Sequence, residues 1–180
     1  VSIAKNYIGR GLPMIDLTGI GTSQALSDST PGTPTLSAWK DPVPINTANS
    51  QVHFAGLKGD GTATGIQVSG LTVSLGNVVN QRQVIGYQGI VLSDRKTSGQ
   101  ITFDATKVSV KNWPEYIRTV SNDPLVMQHG MSAGASVVIM GPKVSLKSLS
   151  EGEDTGVVTY QGDLAFEPVN GNDELRIVTF

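Results

Sequence analysis

Cysteine is absent from the 180 residues. That excludes disulfides and thiolate metal sites, and no cysteine framework points to secretion. Long apolar runs are absent as well. None approaches the roughly 20 residues a helix needs to cross a bilayer, and no charged-then-apolar segment of signal type opens the sequence. Charge is scarce: Lys plus Arg number 13 and Asp plus Glu 15, a net of −2, which is too balanced for tight binding of duplex DNA through its phosphates. What is plentiful is glycine (21) and proline (9), while strong helix formers cluster nowhere. Many short strands joined by Gly/Pro turns produce such a mixture. The length suits one domain, or one domain with a tethered segment, and a core that needs no staples. A start at Val1 rather than Met is what a fragment or processed product would show.

Three regions are expected: a leading strand segment over 1–21, a Pro/Ser-rich loop or arm over 22–50, and a β-domain over 51–180. Residues 12–18 read as a short strand closed by Gly19. Residues 22–50 are rich in Ser, Thr, Pro and Asn, with Trp39 as the one large anchor. A loop of that length is unusual inside a compact domain. It is either a connector or an arm that wraps a neighbouring subunit. Val52, Phe54 and Leu57 begin the next strand, with a turn at Gly59, Asp60 and Gly61. From Ile66 to Gly76 the apolar phase alternates and slips by one at Ser69–Gly70, which predicts a β-bulge. Gln83–Leu92 and Gly99–Ala105 read as strands, with Asp94, Arg95 and Lys96 in the turn between them. Trp113, Tyr116, Ile117 and Val120 recur at helical spacing after Asn112, a good N-cap, and Pro114, so a helix of about three turns is expected near 112–122. Strands are expected again at Leu125–Gln128, Ser136–Met140, Lys143–Leu149, Val157–Glu167 and Leu175–Phe180. Acidic Glu151, Gly152, Glu153 and Asp154 read as a turn, as do Asn170 to Asp173.

The motifs that suggest chemistry do not carry it. Gly130-Met131-Ser132-Ala133-Gly134 matches a hydrolase nucleophile elbow, but that elbow leads into a helix and needs a later histidine. Here a β-branched run follows, and His129 is the last histidine. Gly19-Ile20-Gly21 hints at a phosphate loop, yet Gln24 stands where the third glycine belongs and no helix pattern follows. His53 and His129 lie far apart, without the company a zinc site needs. Glu151, Glu153 and Asp154 lack the oxygen spacing of a calcium loop and read as a solvated hairpin tip. No catalytic residue, cofactor or metal is expected, and the chain is not expected to be an enzyme.

Leu75-Gly76-Asn77 with Gln81-Arg82, then Asp94-Arg95-Lys96 followed by Ser98-Gly99-Gln100-Ile101-Thr102, resemble the tail tube proteins of long-tailed bacteriophages. The ending is also similar: Gly141-Pro142-Lys143-Val144, an acidic turn, then Phe166-Glu167-Pro168 leading into Gly171–Ile177. Near the start, Gly9-Arg10-Gly11, Pro13, Met14 and Gly19 resemble the strand such proteins place before a Pro-rich loop. The resemblance implies a mostly β fold: two packed antiparallel sheets, a sandwich or barrel of tail-tube type, with one flanking α-helix. It implies a self-partner in a ring of six, stacking of rings with other tail proteins, and a lumen that DNA passes without specific binding. Location in the virion tail follows, after assembly in the host cytoplasm, with no membrane partner.

The competing class is a β-sandwich binding module for carbohydrate or a cell surface. Such sites present aromatic platforms, and Trp39, Tyr87, Trp113 and Tyr116 share no strand spacing. The site candidates are therefore residues of assembly. Asp94, Arg95 and Lys96 form a charged turn suited to a partner, and Trp39 is either a local plug or an anchor in a neighbour.

Overall fold

A computed structural model describes residues 14–23, 25–28, 30–37, 40–41, 43–46, 49–59 and 64–180. Among the described residues, the first strand begins at Ser50. In chain order the elements are β1 (Ser50–Phe54), β2 (Leu57–Lys58), β3 (Val68–Ser74), β4 (Asn77–Val84), β5 (Tyr87–Arg95), β6 (Ser98–Asp104), α1 (Trp113–Arg118), β7 (Asn122–His129), β8 (Val137–Leu146), β9 (Ser150–Asp154), β10 (Val157–Phe166) and β11 (Arg176–Thr179). The protein is mostly β, as expected, with a large antiparallel sheet, a second small sheet and one short helix. The large sheet runs β2-β1-β7-β8-β10-β6-β3, with β11 on β8 and β9 on β10. The small sheet is β4-β5 alone.

Strand β8 makes the corner of the large sheet. Its first residues, Val137–Met140, lie between β7 and β11, while Val144–Leu146 lie between β7 and β10. Gly141 and Pro142 occupy the change of register, where proline's missing N–H costs no ladder bond. The expected pair of strands at 136–140 and 143–149 is therefore one strand with a bulge. The bulge expected at Ser69–Gly70 is present, as a register shift between Val68 and Gly70 against β6.

The core gathers the inward residues of both ends of this sheet: Phe54, Ile66, Leu71, Ile101, Phe103, Leu125, Met127, Val144 and Leu164. Helix α1 closes it with Trp113 and Tyr116. The Trp113 ring lies 4.7 Å from Phe103 and 5.8 Å from Tyr116, centroid to centroid. Its N–H donates to the Thr106 hydroxyl at 2.9 Å. Asn112 caps the helix, accepting the Glu115 N–H, and Pro114 sits in the first turn, as the sequence predicts.

Other expectations are corrected. The helix spans 113–118, not 112–122: the Thr119 N–H and hydroxyl both turn back to the Glu115 carbonyl, and Val120 takes a positive φ of 49°. Val120 is exposed rather than inward. Residues 14–18 carry no strand and are exposed, because no strand among the described residues pairs with them; residues 12 and 13 lie outside the described residues, as do Gly9, Arg10 and Gly11. The strand expected through Val52, Phe54 and Leu57 reverses at Ala55–Gly56, where both residues have the positive φ of a type I′ turn. Asp60 and Gly61 are outside the described residues. The strand expected over Gln83–Leu92 reverses at Ile85–Gly86 and belongs to two strands. The acidic turn is a strand, β9, and the chain reverses after it, at Thr155–Gly156.

Candidate functional site

Strands β3 and β6 pair as far as Ser74 opposite Ser98, and β4 and β5 then continue as a separate ribbon from Asn77 opposite Arg95 to Val84 opposite Tyr87. The four strands are one long hairpin, bent at Leu75–Gly76 on one side and Lys96–Thr97 on the other. The inner half lies in the sheet and the outer half is an arm standing off it. An isolated two-stranded ribbon is marginal in water, so the root matters. Gly76 holds a positive φ of 59°, and a Cβ there would collide with the Lys96 carbonyl. The Lys96 N–H donates back to the Gly76 carbonyl at 3.4 Å.

A second tie comes from the C-terminal loop. The Arg95 guanidinium grips the Glu174 carboxylate through Nε at 2.5 Å and Nη2 at 3.0 Å, and Nη2 also donates to the Asn172 side-chain Oδ1 at 3.0 Å. Thr97 donates to the same carboxylate at 3.4 Å. Glu174 is only 7% exposed. Burial works against its charge, but its own backbone N–H and the Arg95 guanidinium outweigh that and hold the carboxyl below the usual range. Asp173 accepts the Val169 and Asn170 N–H groups, which fixes the loop that presents Glu174.

The arm beyond this root is unusual for a monomer surface. On one face Gln81 is opposite Ile90 and Val79 opposite Leu92; on the other, Asn80 is opposite Val91 and Val84 opposite Tyr87. Ile85 at the tip is fully exposed, Leu92 is 56% and Tyr87 53% exposed, and Val78, Val84, Ile90 and Val91 are exposed too. Arg82 is the one charge between Asn77 and Ser93. Apolar side chains thus face water on both sides of a ribbon that lies on no core.

Of the residues singled out from sequence, Asp94, Arg95 and Lys96 stand at this root. Asp94 and Lys96 are exposed, whereas Arg95 is spent on Glu174 inside the molecule. Trp39 lies outside the described residues. The arm itself was not visible in sequence; the Ile85–Gly86 pair was its one signal. Ser132 sits in the bend before β8, its carbonyl accepting from Ala135 N–H and the Ser136 hydroxyl. The His129 ring is turned elsewhere, with one nitrogen 2.8 Å from the Ser50 hydroxyl and the other 2.9 Å from the Val43 carbonyl. The aromatics Phe54, Phe103, Trp113 and Tyr116 are in the core.

No family model and no curated protein matches the chain. Among solved structures, a chain in the virion of a native gene transfer agent particle is similar at 12% identity and a TM-score of 0.39, over 75% of this chain and 99% of that one. A chain in the tail of an empty gene transfer agent particle, computed with C6 symmetry, is similar at 11% identity and a TM-score of 0.32, over 81% and 92% of the two chains. Likeness at that level assigns neither a fold nor a role to this protein.

Proposed function

We propose that the protein is a non-enzymatic structural subunit of a phage or prophage tail, whose copies join in rings of six that stack as a tube for DNA passage. The observation that carries this reading is the β4–β5 arm. It exposes Val84, Ile85, Tyr87, Ile90 and Leu92 and has two open edges, features that burial against another protein surface would satisfy. The resemblance adds the kind of partner. Of the residues that carry it, Asn77, Gln81 and Arg82 on β4, Asp94–Lys96 at the root and Ser98–Thr102 on β6 fall on this one long hairpin. Other tail proteins would meet the ends of the tube. The virion is then the site of action, and assembly takes place in the host cytoplasm. DNA would pass without specific contacts, in keeping with the net charge of −2.

The test is mass measurement with electron microscopy across a concentration series. Rings or tubes are the expected outcome. A protein that stays strictly monomeric at high concentration refutes the proposal.

A further inference from the structure

Resting on the self-assembly reading, we propose that Met14–Ile20 of one copy adds as an eighth neighbour along the path of the large sheet, pairing antiparallel with the free edge of β3 in a second copy. Two features of the molecule meet in this assignment. The first is the segment itself. Met14, Ile15, Leu17 and Ile20 are all exposed, Asp16 is its only charge, and no hydrogen bond joins it to any described residue. Its pattern is that of a strand, but no strand among the described residues pairs with it.

The second is the set of sheet edges. β9 carries Glu151, Glu153 and Asp154 within five residues, the kind of charge that keeps an edge from being extended. β2 has two residues and β11 four. The edges of the arm lie on no core, so a strand added there buries no inward face. β3 differs on each count. It has seven residues and no charge, it pairs only with β6 among the described residues, and Leu71 and Val73 already point into the core. The segment Met14–Ile20 has the same length.

The face requirement then fixes the register, because a slip by one residue turns every side chain over. Leu17 opposite Leu71 and Ile15 opposite Val73 extend the buried face. Asp16 then falls opposite Thr72 and Met14 opposite Ser74, on the outer face. Donation from one copy to the edge of the next is head-to-tail, which is the relation that closes into a ring.

The absence of cysteine makes the test clean. Full-length Asp16→Cys is mixed with full-length Thr72→Cys under mild oxidation. Directly opposite outer-face residues come within disulfide reach, so a covalent pair of the two chains is expected. Asp16→Cys mixed with Glu153→Cys or with Gln83→Cys is expected to stay unlinked. In a second measurement, Leu17→Pro removes a ladder N–H from a segment that is exposed and has no hydrogen bond to the described residues, and the concentration for half-assembly should rise by about tenfold or more, equivalent to about 1.4 kcal/mol or more. Assembly without the 16–72 link, preferential linking to position 83 or 153, or a link formed within a single doubly substituted chain each overturns the strand assignment and leaves self-assembly standing. A wild-type chain that never assembles overturns both.

Discussion

Replacing Arg95 by Ala tests whether the arm is held from inside the molecule. The substitution removes both guanidinium bonds to Glu174, at 2.5 and 3.0 Å, and leaves a carboxylate of 7% exposure with the Thr97 hydroxyl and its own backbone N–H. Breaking a fully buried pair costs about 3–5 kcal/mol, and an exposed pair is worth about 0.2–1 kcal/mol. Arg95 keeps 30% of its side chain in water, so the expected loss lies between, about 2 kcal/mol. For a chain of this size that is a fall of about 4–8 °C in Tm, read by urea or thermal unfolding of dilute protein. The pH dependence gives the sign. Glu174 is held below its usual value in the folded protein, so its contribution is complete above the ordinary glutamate range, near 4.3, and is lost as pH falls through the folded value. The gap between wild type and Arg95→Ala should therefore shrink below about pH 4, and in a Glu174→Gln background the Arg95 substitution should cost less at neutral pH. A loss under about 0.5 kcal/mol at pH 7, or a gap that does not change down to pH 3, refutes the clamp.

Trp113→Ala should cost about 3–5 kcal/mol in chemical denaturation, because the indole is fully buried against Phe103 and Tyr116; Trp113→Phe should keep most of that and lose the bond to Thr106, worth about 1 kcal/mol. Ser145 is buried with a hydroxyl that finds no partner, so Ser145→Ala should raise stability by about 1 kcal/mol; a loss of that size would show that the hydroxyl is satisfied. Gly76→Ala meets both a positive φ and the Lys96 carbonyl and should cost about 1–3 kcal/mol, with hydrogen exchange rising first over β4 and β5. Uniform loss of protection would place the damage in the main sheet instead.

The parts of the fold that were legible in sequence are those where one local signal suffices. The phase slip at Ser69–Gly70 announced its bulge, and Asn112 with Pro114 announced the start of α1. Where a partner decides, sequence misled. Met14–Leu17 has the composition of a strand, but nothing among the described residues pairs with it. The run Glu151–Asp154 has poor strand propensity, yet it is β9, because charge on an exposed edge is tolerated there and useful. Gln83–Leu92 passed for one strand since neither face of the arm is buried and no burial rhythm marks the reversal at Ile85–Gly86. The Arg95–Glu174 tie joins residues 79 apart, and nothing local in either announces the other.

The arm also sets how assembly would depend on concentration. Seven of its large side chains are exposed: Val78, Val84, Ile85, Tyr87, Ile90, Val91 and Leu92. Each is worth roughly 1.5–3 kcal/mol when carried from full exposure to full burial, and most start near half exposure, so one arm contact yields on the order of 5–10 kcal/mol. Bringing two chains together costs about 4–15 kcal/mol before any gain appears. A single arm contact is therefore close to balance, and an open chain of two or three copies would be sparsely populated. A closed ring adds one more contact without adding another chain, so its last contact forms without that entry cost. If the proposed ring forms, the same exposed surface that would make a monomer prone to disordered association would favour an abrupt passage from monomer to closed ring. The charges on β9, which block indiscriminate edge pairing, help to keep that passage confined to one geometry.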